Sequence, residues 1–85
     1  MSRLLRIDQM LAAQARVRPH EVGVRDLTKE LTFQRWNDRS TRLAAGLLKA
    51  GLSKGDRVAI LAYNRLEWAE IYVAVAQTGL IAVPV

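Results

Sequence analysis

Between Arg3 and Arg16 the apolar residues Leu4, Ile7, Leu11 and Ala15 recur every three or four positions, the spacing that aligns side chains on one face of a helix. A short amphipathic helix is expected there. Pro19 ends it, because a proline pushes the residue before it out of helical geometry and donates no amide proton. In "EVGVRDLTKELTF" the period shortens to two: Val22 and Val24 share one side of an extended segment, Leu31 and Phe33 one side of a second. Asp26 to Lys29 suit the turn of a hairpin between them. From Gln34 to Lys49 the helical period returns, with Trp36, Ser40, Leu43, Ala44, Leu47 and Leu48 on one stripe and Arg35, Asp38, Arg39, Arg42 and Lys49 on the other side. Thr32 is placed to cap this helix. Gly51 is placed to take the left-handed conformation that closes it, with Leu52 available for the accompanying apolar contact.

The second half carries a different pattern. "RVAILA" has no polar residue after Arg57, as in a strand of a parallel sheet covered by helices on both faces. Asn64 can cap a helix over Arg65 to Thr78, with Glu67 reaching back to its amide in a variant of the capping box. Gly79 stops that helix. "LIAVPV" then reads as a second buried strand, with Pro84 near its end or on an edge because proline cannot donate to a ladder. Strand, helix and strand make a right-handed crossover, so the fold class is α/β: a helix and hairpin, an amphipathic helix, then a βαβ unit of a parallel sheet.

On the helix from Arg65 to Thr78 only Glu67, Glu70 and Gln77, with Ala74 among them, form a polar stripe, and apolar residues take most of the circumference. A helix of that kind is normally buried inside something larger, and two central-type strands need neighbours on both edges. Val85 also lies inside an apolar strand. The expectation is that residues 1–85 are an incomplete portion of a larger domain. The alternative is a self-contained small module that covers its apolar surfaces by association.

Composition narrows the classes. A chain of 85 residues allows one small domain at most, burying about 60% of its unfolded surface. Hydrophobic residues at 51% beside charged residues at 25% have the balance of a globular protein, not a disordered one. With no cysteine and a single histidine, His20, neither a disulfide framework nor a metal cluster is in view. The run "IYVAVAQTGLIAVPV" is broken by Gln77, Thr78 and Gly79 and falls short of the roughly 20 residues of a bilayer span. The first residues contain some arginine, but also Asp8 and no long apolar stretch, so no secretory signal is expected, a transit peptide is only a weak option, and a cytoplasmic location is the default. The net charge of +5 prompts a nucleic-acid reading. Against it, Asp38 can pair with Arg42, and no aromatic ladder or groove-reading motif accompanies the arginines, so a solvated helix face is expected.

The joint "LAYNRLEW" leads from a strand into a helix, where free amides could hold an anion. Asn64 and Glu67 can satisfy those amides internally, and Glu67 and Glu70 would repel a phosphate, so the joint reads as scaffold. Gly55 and Asp56 in the preceding turn read the same way. Trp36, Trp68, Tyr63 and Tyr72 raise the question of an acyl pocket, but Trp36 and Trp68 fall on apolar stripes, where core packing is the commoner role. The five glycines are scattered, and none opens a helix in a phosphate-binding pattern.

Taken in order, "RPHEVGVRD", "ELTFQRWNDRSTRLAAGLLKAGLSKGDRVAI" and "YNRLEWAEIYVAVAQTGLIAVPV" resemble the opening of the adenylate-forming acyl-CoA synthetase superfamily, the AMP-dependent ligases. The most specific pieces are Leu31 to Phe33, Gly51 to Val58, and Asn64 before the helix that ends in "TGLIAVPV". Where the family commonly has an acid this chain has Arg35, and Trp36 stands in place of a leucine. The resemblance implies an ATP-dependent ligase in which a carboxylic acid forms an acyl-adenylate and CoA displaces AMP, with Mg2+ accompanying ATP. It also implies that residues 1–85 begin the large N-terminal domain, and that a homodimer is one option for the whole protein. The family's phosphate loop, nucleotide-binding acids and catalytic lysine have no counterpart here. No catalytic, cofactor-binding or metal-binding residue is therefore assigned, and the 85 residues alone are expected to be inactive.

Overall fold

A computed structural model describes residues 7–61 and 65–84. The elements run α1 (Ile7–Val17), β1 (Val22–Arg25), β2 (Glu30–Thr32), α2 (Phe33–Lys49), β3 (Arg57–Ile60), α3 (Arg65–Thr78) and β4 (Ile81–Pro84). β1 and β2 pair antiparallel, and β3 and β4 pair parallel with α3 as the crossover between them. The expected α/β class and element order are present.

Local chemistry fixes the boundaries. The Asp26 amide donates to the Lys29 carbonyl, and Asp26 Oδ1 accepts from the amides of Thr28 at 2.9 Å and Lys29 at 2.8 Å. These bonds, that from Thr28 foremost, hold the Asp26 carboxyl below its ordinary pKa. Arg25 and Glu30 pair across the same turn at 3.0 Å. Gly23 marks a bulge, where an added Cβ would stand 2.7 Å from a Phe33 ring carbon and 2.9 Å from one of Trp36. Only a glycine lets the strand pass so close beneath two rings.

Thr32 takes extended geometry and its Oγ1 accepts from the Arg35 amide at 3.2 Å. The cap fixes the start of α2 one residue earlier than expected, so Phe33 opens the helix and does not extend β2. At the other end Gly51 has φ 102° and donates to the Leu48 carbonyl, while Leu52 donates to that of Leu47. That pair of bonds is the Schellman closure.

The turn before β3 is laced to the joint after α3. Ser53 donates its amide to Asp56 Oδ2 at 2.7 Å, Gly55 to the Gly79 carbonyl at 2.9 Å, and Ile81 to the Asp56 carbonyl at 2.8 Å. Gly79 has φ 77°, the conformation expected of a helix stop.

The core gathers around α3, with Leu66, Val73, Ala74 and Val75 buried, Leu11 of α1, Leu31 of β2 and Ala44 of α2 on other elements, and Ile60 and Leu80 toward the parallel pair. Three expectations need correction. The buried face of α1 is rotated: Leu11 is buried as expected, but so is Asp8, while Ile7 is 43% exposed. The predicted start at Arg3, with Leu4, lies outside the described residues. Asp38 and Arg42 form no ion pair; the acid that meets an α2 arginine is Glu70, 3.0 Å from Arg39. The stripe of Glu70, Ala74 and Gln77 lies against α2, and Ala74 is fully buried. Finally, β3 and β4 are covered on one face only. Val58, Ile60 and Ala82 alternate with residues of the other face, where Ile81, Val83 and, just beyond β3, Leu61 stay open. The physical reason is that α3 packs on one side of a two-stranded ribbon, and no other described element reaches the second side.

Candidate functional site: a charged cleft between the hairpin, α2 and α3

Where the end of the hairpin meets the first turns of α2 and α3, a cleft of about 530 Å3 opens. Lys29, Arg35 and Arg39 bring positive charge to it, Glu30, Glu67 and Glu70 negative charge, and the buried Leu31 and Leu66 contribute apolar lining. Much of that charge is already matched. Arg39 Nε donates to Glu70 Oε2, and Arg25 reaches Glu30 from outside the cleft. Lining of this kind can pin two helices and a hairpin together. With cations and carboxylates in equal number, it selects neither an anion nor a cation.

Three polar ties run along the neighbouring helix seam. Trp36 Nε1 donates to the Ala69 carbonyl at 3.0 Å, Arg39 meets Glu70, and Gln77 Nε2 donates to Thr41 Oγ1 at 3.2 Å. Between these ties the deepest positions are small: Ser40 on α2 and Ala74 on α3 have no exposed surface. Small side chains there let the helices approach closely.

A helix start binds an anion only if its amides are free. At α2 they are not: Phe33 donates to the Glu21 carbonyl, Gln34 to that of Pro19, and Arg35 to Thr32 Oγ1. At α3 the joint Ala62 to Asn64 lies outside the described residues, and with it the predicted Asn64 cap and Glu67 capping box. Glu67 does stand in the first turn of α3.

The aromatic residues separate. Trp36 is half-buried and stacks on Phe33 with ring centroids 6.4 Å apart. Trp68 is half-buried and stacks on Tyr72 at 5.2 Å, on a side of α3 where Tyr72 is 47% exposed. Tyr63 lies outside the described residues. Among the described residues the aromatic groups thus form two separate stacks. Among the described residues no three His, Cys, Asp or Glu side chains converge in a way that could hold a metal ion. No described helix is long and apolar enough to cross a membrane.

The charged cleft was not foreseen from the sequence, because its walls come from residues 29–39 and 66–70. The signal that could have found it is the pairing of cations one turn apart, Arg35 and Arg39, with acids one turn apart, Glu67 and Glu70, on two helices flanking one strand.

Comparison with known proteins gives a concordant result. Residues 11–85 match the model of a family described as AMP-binding enzyme. A feruloyl-CoA synthase of an Amycolatopsis species is 41% identical over 71 residues, which cover 84% of this chain and 14% of that protein. A mitochondrial medium-chain acyl-CoA ligase, ACSF2, of Macaca fascicularis is 36% identical over 81 residues, 93% of this chain and 13% of that protein. Among solved structures, a putative long-chain-fatty-acid CoA ligase from Rhodopseudomonas palustris superposes with a TM-score of 0.86 at 36% identity, covering 95% of this chain and 21% of the other. The N-terminal subdomain of Klebsiella oxytoca NpsA superposes with a TM-score of 0.84 at 26% identity, covering 96% and 22%. The chain therefore spans about one seventh of the length of the curated relatives it matches.

Proposed function

Because the chain belongs to the AMP-binding enzyme family, we propose that its residues form the opening scaffold of an ATP-dependent acid–thiol ligase. In the proposed reaction a carboxylate oxygen of the acid attacks the α-phosphorus of ATP, giving an acyl-adenylate and pyrophosphate. The thiol of CoA then attacks the acyl carbon, and AMP leaves. The family match over residues 11–85 carries this reading, since its relatives include CoA synthases and ligases.

Residues 1–85 are, in this proposal, the first part of the large N-terminal domain. The open face of the β3–β4 pair supports that assignment, because parallel sheets are normally covered on both faces. The contribution of these residues is positional: the seam between α2 and α3 and the laced turn at Gly55 hold two strands of the sheet in register. No catalytic, nucleotide-binding or metal-binding residue is assigned among them. Mg2+ would accompany ATP in the proposed reaction. The proposed substrate is a carboxylic acid of the aromatic or the fatty class, the two classes named in the relatives. The cytoplasm is the proposed location, to be tested by cell fractionation because one relative is mitochondrial.

The experiment uses the polypeptide as its native source makes it. Its intact mass comes first, expected to be several times the 9.5 kDa of these residues; a mass of 9.5 kDa overturns the domain assignment. Pyrophosphate exchange into ATP follows, against a panel of aromatic and fatty acids. Exchange that depends on one class of acid is expected. Absence of both exchange and AMP release across the panel overturns the ligase reading.

A further inference from the structure

We draw no further inference here: the strongest candidate, the apolar cleft of about 180 Å3 that Ile7, Met10 and Leu11 of α1 form with Phe33 and Trp36 of α2, is an unpartnered apolar face, and nothing in the structure shows what covers it.

Discussion

The side of α3 that meets α2 carries Glu70, Ala74 and Gln77, the most polar stripe of the helix, yet Ala74 is fully buried there. The side bearing Trp68 and Tyr72 is more apolar and stands open enough to leave Tyr72 47% exposed. Hydropathy alone would have reversed these assignments. What decides them is fit: α2 offers Ser40 and Ala44 at its deepest positions, and polar groups at the edges that reach Glu70 and Gln77. A small, polar-edged seam closes tightly between two helices, whereas two stacked rings need a third element to cover them.

The contrast can be broken most strongly at Trp36. Trp36→Ala removes both ring packing and the bond to the Ala69 carbonyl, and should lower unfolding stability by about 3 kcal/mol, the low end for large aromatic truncations because the ring is half-buried. Trp36→Phe should recover all but about 1 kcal/mol, the share of the hydrogen bond. Next, Ala74→Leu places a branched side chain at a position with no exposed surface and should cost about 2 kcal/mol by overpacking. Urea midpoints at constant m-value would report both.

The ion pair at the seam matters less. Arg39 is 48% exposed, so a double-mutant cycle of Arg39→Ala and Glu70→Ala should give a coupling of about 0.5 kcal/mol, shrinking as salt is added. A coupling above 2 kcal/mol would mean that the seam is held by charge and not by fit. Smallest of all, Tyr72→Ser on the open side should change the stability of the 85-residue chain by less than about 0.5 kcal/mol. A loss equal to that of Ala74→Leu would sink the comparison, by showing that the ring stack is covered in solution.

Boundaries were legible because each rests on the chemistry of one residue. Asp26 folds the hairpin turn on its own carboxylate, Thr32 caps with its own hydroxyl, and Gly51 and Gly79 adopt angles that other residues resist. Orientation was less legible. The α1 pattern could not tell that Asp8 turns inward while Ile7 stays open, because hydrophobic period records which residues share a face and not what that face meets. The same limit hid the pairing of Arg39 with Glu70, 31 residues apart, where the local rule favoured Asp38 with Arg42. The apolar strands were read as covered on both sides since nothing in "RVAILA" distinguishes its two faces. As for the candidate site, the cleft depends on three segments meeting and leaves only a faint trace in any one of them.

The lacing of Gly55 to Gly79 and of Asp56 to Ile81 bears on the order in which the molecule assembles. The hairpin pairs Arg25 with Glu30, five positions on, whereas the parallel pair joins Arg57 to Ile81, 24 positions on. Closing the longer loop costs about 1.4 kcal/mol more in chain entropy, at about 0.6 kcal/mol for each doubling of length. A formed α3 shortens the stretch that remains to be closed, so the natural sequence of events is hairpin, helices, then the parallel strands. The two laced amides are the last stitches, and their protection from hydrogen exchange reports completion of the whole crossover.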